Sequence, residues 1–178
     1  MSGMPQRLHE RGNAVAVLLV VIVLVVIGGA GYWVWYRHHK TTTPVAISTC
    51  TNLSLSQGTS SGAAGTIYKN AVLTNAGTVT CTIAGYPGVF MLNGGGMQVG
   101  GGAEASSLYH VSTVTLAPGA KAHSVVAFPQ QGNFDPGVCS PIGSSMQMYV
   151  PGVVMAVTAA WSDYSCPGFS ATAIQPGA

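Results

Sequence analysis

The chain has 178 residues and a formal net charge of +2, and only 6% of its residues are charged, against about 25% in an average soluble protein. Past Lys40 the only charged side chains are Lys69, Lys121, Glu104, Asp135 and Asp163, two cations against three anions, a formal −1. A basic patch for nucleic acid is therefore absent, as is an acidic run for cations, and recurring apolar and β-branched residues exclude a disordered chain.

In chain order, residues 1–13 form a short tail with Arg7, Glu10 and Arg11. Residues 14–36 read AVAVLLVVIVLVVIGGAGYWVWY, without a charge. A helix of that length spans about 34 Å, enough for a hydrocarbon core of about 30 Å. Trp33, Trp35 and Tyr36 close it with rings that favour the headgroup level, and Arg37 to Lys40 cannot continue into lipid. The expectation is one transmembrane α-helix over residues 14–36, with the bilayer as its partner. Residues 37–47 follow as a juxtamembrane stalk stiffened at Pro44, and residues 48–178 as an ectodomain.

Lys and Arg number two on each side of the helix, so charge does not orient it. Cysteine does. Cys50, Cys81, Cys139 and Cys166 all lie beyond the helix, widely spaced and without a C-x-x-C pair. An even number of such cysteines reads as two disulfides in an oxidising space rather than a zinc ribbon or four free thiols. Three connectivities are open; Cys50–Cys81 with Cys139–Cys166 is preferred, because each would staple neighbouring strands. The expected topology is a single-pass cell membrane protein with a cytoplasmic N-terminus and an extracytoplasmic domain. Two processing alternatives stand beside it. A secretory signal would be cut near Gly28-Gly29-Ala30, although the apolar run continues past that point. A type IV pilin-like leader would be cleaved after Gly12, but that family carries a glutamate where this chain has Val17.

Beyond the stalk the periodicity changes to alternation by two. Strands are expected at Leu53–Ser56, Thr66–Asn75, Thr78–Ala84, Val89–Leu92, Met97–Val99, Val111–Leu116, Ala120–Phe128, Met146–Val150, Val153–Trp161 and Phe169–Ile174. Gln57–Gly65 and Gln130–Ser145 read as loops, Gly100–Gly102 as a further loop, and Ala117-Pro118-Gly119 as a hairpin turn. Nine or ten short strands with no amphipathic helix predict an all-β fold, an immunoglobulin-like antiparallel β-sandwich.

The order Cys50, Ala63-Ala64-Gly65 with Tyr68, Leu73-Thr74-Asn75-x-Gly77, Thr80-Cys81-Thr82, Gly85-Tyr86-Pro87-Gly88-Val89, Leu116-x-Pro118-Gly119, Cys139 and Cys166 carries a resemblance. From about Cys50 onward the chain resembles the domain-of-unknown-function 4232 family, found on secreted or membrane-anchored proteins of Gram-positive envelopes. The resemblance implies an extracytoplasmic β-sandwich with two disulfides and supplies no substrate. Many relatives use a lipoprotein cysteine as anchor, where this chain has a helix.

Motifs with chemical meaning are thin. Gly58-Thr59-Ser60-Ser61-Gly62 fits G-x-S-x-G by letters, yet a nucleophile elbow needs a strand before it and a helix after. Gly100-Gly101-Gly102-Ala103-Glu104-Ala105 fits a degenerate dinucleotide pattern, again without a helix to hold phosphate. His110 and His123 are each expected alone in a strand, and a metal site with Asp135 or Asp163 would need the fold to gather them. Asn52-Leu53-Ser54 is a glycosylation sequon by letters only. The expectation is a non-enzymatic module with no cofactor, no metal and no catalytic residue, in a structural or binding role in the cell envelope. Loop aromatics are the candidate recognition groups, as rigid rings contribute most per residue to binding. Trp161 is assigned to the core, and Tyr86 to the core or the binding face. Tyr109, Phe134 and Tyr164 are kept as a candidate surface for an envelope saccharide or protein.

Overall fold

The computed structural model describes residues 48–178; the expected tail, transmembrane helix and stalk lie outside the described residues. Among the described residues no helix is long and apolar enough to cross a membrane.

Thirteen strands and one 3₁₀ turn, Gln131–Asn133, make up the described chain. The strands are β1 (Ser48–Thr49), β2 (Leu53–Ala63), β3 (Thr66–Asn75), β4 (Cys81–Ile83), β5 (Gly88–Leu92), β6 (Gln98–Val99) and β7 (Glu104–Ser106). They continue as β8 (Val114–Leu116), β9 (Lys121–Pro129), β10 (Gly143–Tyr149), β11 (Val157–Asp163), β12 (Ser170–Thr172) and β13 (Gln175–Pro176). The fold is all-β, as the alternation predicts.

The largest sheet has the order β2-β3-β9-β12-β7, with β13 also paired to β9; a second runs β11-β10-β5-β6, and a third β1-β4-β8. Their apolar faces meet in one core. Ala71 and Leu73 of β3, Val126 and Phe128 of β9, and Val89 and Met91 of β5 are buried with Met146 and Met148 of β10. Each such large side chain taken out of water contributes about 1.5–3 kcal/mol. Trp161 of β11 is buried against Phe128, ring centroids 6.3 Å apart, and Phe128 stacks on Phe169 at 5.1 Å. Its assignment to the core holds.

Several expected elements change. The stretch expected to be a loop over Gln57–Gly65 is strand as far as Ala63. Its Gly/Ser composition reflects exposure rather than irregularity, because β2 is held by its backbone ladder to β3 from Leu53↔Asn75 to Ala63↔Thr66. Ala64 and Gly65 join the two strands, both at positive φ (48° and 76°), as a type I′ hairpin requires. A Cβ on Gly65 would stand 2.5 Å from Asn133 Nδ2, which donates to the Gly65 carbonyl at 2.7 Å.

Thr78–Ala84 shortens to Cys81–Ile83, leaving Val79 64% exposed. Val111–Leu116 shortens to Val114–Leu116, and Ala117-Pro118-Gly119 does not close a hairpin. β8 pairs with β4 and β9 with β3, so that turn carries the chain from one sheet to another. The loop expected over Gln130–Ser145 ends at β10, which starts at Gly143, and β11 starts at Val157 rather than Val153. Phe169–Ile174 shortens to β12, Ser170–Thr172, and a further strand, β13, follows it at Gln175–Pro176. Glu104–Ser106 is a strand without an apolar alternation to announce it, and its pairing with β12 is parallel, as is that of β1 with β4. Two of the three sheets are therefore mixed, while β11-β10-β5-β6 is wholly antiparallel.

Both disulfides have the expected partners, Cys50–Cys81 and Cys139–Cys166, and no free cysteine remains among the described residues.

Candidate functional site

The outer face of the largest sheet carries a shallow groove in two adjoining hollows. Alternation along β3 turns Thr66, Tyr68 and Asn70 to one side, while their neighbours Ile67 and Ala71 turn to the other. Register places Pro129, Ala127 and Val125 of β9 directly opposite that outer row. On the other flank Ser61 stands opposite Tyr68. β12 and β7 extend the face with Ser170, Thr172 and Ser106.

The first hollow, about 440 Å³, lies among Thr59, Ser60, Ser61, Tyr68, Asn70 and the loop residues Leu108 and Tyr109. The second, about 300 Å³, continues over Thr66, Ala127, Ser106, Ser170 and Thr172. Tyr68, Leu108 and Val125 line both, so the two hollows adjoin along one face and are together called a groove. Among the described residues its lining contains no Lys, Arg, His, Asp or Glu. The nearest carboxylate along the sheet, Glu104, stands two residues before Ser106 and lines a different hollow.

One wall of the groove is the loop 107–113, where Leu108 is 64% and Tyr109 37% exposed. Two hydrogen bonds hold that loop from below. The Tyr86 hydroxyl donates to the Tyr109 carbonyl at 3.4 Å, and Gln175 Nε2 donates to the His110 carbonyl at 3.2 Å. Tyr86 belongs to the Gly-Tyr-Pro-Gly turn, whose Gly85 carbonyl accepts from Ile174 N at 3.0 Å. Gly85 itself has a φ of 102°, and a Cβ there would press on Pro151 at 3.1 Å. On the opposite flank Asn70 Nδ2 donates to Thr59 Oγ1 at 3.1 Å, which leaves the amide oxygen free to accept.

The three aromatics singled out from sequence do not share a surface. Tyr109 lines the groove. Tyr164 lines a separate hollow of about 230 Å³ with Ile67, Phe128, Gln130 and Asp163. Phe134 follows the 3₁₀ turn, half-buried, and lines neither. Tyr68, Asn70 and Leu108 are the groove residues that sequence reasoning missed. The available signal was the outward row Thr66-Tyr68-Asn70 and a Leu-Tyr pair standing in a Ser/Gly segment.

The motifs with catalytic lettering take structural roles. Gly58–Gly62 lies inside β2, which turns into another strand rather than a helix. Gly100–Gly102 borders a hollow of about 500 Å³ beside the Cys139–Cys166 disulfide, and a strand, β7, follows it. Glycine is needed there for packing. A Cβ on Gly100 would meet Ser165 Cβ at 2.7 Å, and one on Gly102 the Phe90 ring at 2.6 Å. His110 lies in the loop rather than in a strand, and His123 Nδ1 lies 3.0 Å from the Gly177 carbonyl. Asp163 is paired with Lys69 at 2.6 Å. Among the described residues no three His, Cys, Asp or Glu side chains are grouped to hold a metal ion.

No curated protein and no solved structure matches the chain. Residues 49–175 do match a family, described as a domain of unknown function (DUF4232), and they span the strands, both disulfides and the groove. The chain belongs to that family.

Proposed function

We propose that this chain is a single-pass membrane protein of the cell envelope. In this reading residues 14–36 cross the bilayer, the N-terminus is cytoplasmic, and an immunoglobulin-like β-sandwich stands outside as a non-catalytic binding module. The observation that carries the placement is that all four cysteines are consumed in two disulfides. Such bonds form and persist in oxidising compartments and are rare in the cytosol. The apolar run of 23 residues directly upstream supplies the means of attachment. What supports a binding rather than a catalytic role is the chemistry of the groove, which offers hydroxyls, an amide and aromatic faces but no histidine or carboxylate to serve as a base.

The mass and first residue of the mature protein in its own membrane test this reading. An anchored module begins at Met1 or Ser2, needs detergent for extraction, and loses its domain to protease added from outside the cell. A first residue at Asn13 together with presence in sheared filaments would replace the anchor with a pilin-like subunit. A first residue near Gly31 would make the domain a secreted one.

A further inference from the structure

The groove on the outer face of the largest sheet accommodates one class of ligand better than others. Its charge is the first discriminator. A site for an anionic polymer places Lys or Arg along the track, and a site for a cationic one places carboxylates; neither is present in the lining. Polarity is the second. Thr59, Ser60, Ser61, Thr66, Ser106 and Ser170 line the groove with hydroxyls on both sides of an apolar strip of Val125, Ala127 and Pro129 from β9, which sets many polar atoms where an acyl chain would lie. Among the described residues the hydroxyls of Ser60, Ser61 and Tyr68 make no side-chain hydrogen bond, so they are available to a ligand. The third discriminator is the pair of aromatic faces. Tyr68 at the floor and Tyr109 on the wall present rigid rings with a polar tip, which suits a partner apolar on one side and hydroxylated on its edge.

We propose that this groove binds a segment of neutral, polyhydroxylated glycan, with Tyr68 and Tyr109 contacting the sugar faces and the Ser/Thr row with Asn70 pairing the sugar hydroxyls. Resting on the extracytoplasmic binding role proposed above, the inference names the ligand of that module. Along β3 the lining runs from Thr66 to Asn70, about 13 Å at 3.3 Å per residue, and it is open along its length. An extended chain rather than a single small molecule therefore matches its form. Tyr86 is a positioning residue: its hydroxyl holds the Tyr109 carbonyl and so sets the wall from below.

The test uses the full chain in phosphatidylcholine nanodiscs, with dextran, mannan and arabinogalactan as neutral probes and hyaluronate as the anionic control, read by biolayer interferometry. Saturable binding of at least one neutral polysaccharide is expected, with hyaluronate giving none. Tyr68→Ala and Tyr109→Ala are each expected to weaken that binding at least tenfold. Leu108→Gln, on an exposed loop where folding is not at stake, is expected to weaken it about threefold. Tyr86→Phe is expected to weaken it severalfold and to speed amide hydrogen exchange over Leu108–Val111 while leaving Tm unchanged. Binding of none of the neutral probes, preference for hyaluronate, or wild-type affinity in Tyr109→Ala and Leu108→Gln would each overturn the proposal. Those results would leave the anchored topology standing, since that is decided by the mature N-terminus and protease access.

Discussion

The two disulfides close loops of almost the same length and sit in different surroundings. Cys50–Cys81 spans 31 residues and Cys139–Cys166 spans 27, so in the chain-entropy model each restrains the unfolded chain by nearly the same amount, about 3.6–3.7 kcal/mol. Cys50 and Cys81 are both buried in the core, beside the ladder that pairs Cys81 with Leu116. Cys139 is half-buried in a loop, Cys166 is buried but outside the core cluster, and their bridge borders the glycine-lined hollow. Each region is organised by one buried polar residue. Near the first bridge Asn75 donates from Nδ2 to the Val79 and Leu116 carbonyls at 2.9 and 3.0 Å and accepts from Gly77 N at 2.9 Å. Near the second, Ser165 donates from Oγ to the Gly101 carbonyl at 2.9 Å, and its N–H reaches Ser140 Oγ at 2.9 Å. With loop closure equal, any difference in stability between the two bridges measures packing. One bridge is part of the core, and the other restrains a surface.

The largest effect should come from the core bridge. The double substitution Cys50→Ala with Cys81→Ala is expected to lower the unfolding free energy by about 5 kcal/mol, the loop-closure loss plus a cavity. Urea titration of the purified chain reads it, and a loss smaller than that of the other bridge would invert the comparison. Removing Cys139–Cys166 by serine substitution is expected to cost about 3 kcal/mol, close to the entropic share alone. Glycan binding should survive that change, since neither cysteine lines the groove, which approaches the bridge only at Gly168. Asn75→Asp is expected to cost about 2–3 kcal/mol, because a carboxylate cannot donate to the buried Leu116 carbonyl or the part-buried Val79 carbonyl. An Asp variant as stable as wild type would show that solvent satisfies Val79 and Leu116. Smallest of the set, Ser165→Ala should cost about 1 kcal/mol, with faster amide exchange confined to the 100–102 and 139–141 segments.

The parts of this fold legible in the sequence are those where burial imposes a pattern. Thr66–Asn75 was readable to its end residues because Ala71 and Leu73 must face the core while Tyr68 and Asn70 face out. The disulfide partners were legible too, though the ground for them, that each bridge staples neighbouring strands, holds only for Cys50–Cys81 beside the paired β1 and β4, since Cys139 and Cys166 lie in loops. Exposed elements were not legible: the far half of β2 has no buried residue after Leu55, so nothing in its composition separates strand from loop. β7 carries no apolar alternation, and its parallel pairing with β12 depends on a chain reversal more than 60 residues away. The turn at Pro118 was visible, but a turn does not say which sheet the next strand joins. The same limit governs the groove. Loop aromatics can be picked from sequence, whereas the union of Tyr109 with Tyr68 and the separation of both from Tyr164 follow from register and from the hold of Tyr86 on the loop.

Among the described residues strand β2 closes one side of its sheet with β3 as its only ladder partner, and from Leu53 to Ala63 it holds neither a charge nor a proline. An unpaired edge of that length is a template on which another copy can add a strand, and proteins usually guard it with lysine, proline or a bulge. Here the guard is the break in register between Gln57 and Ser60. Gly58 sits in the break, where a Cβ would be driven to 2.8 Å from Val72 Cγ2. The irregularity divides eleven residues of edge into two pieces, each too short to template a long ladder. In a domain with so little charge to keep copies apart, resistance to edge-to-edge aggregation rests on this one glycine-bearing kink.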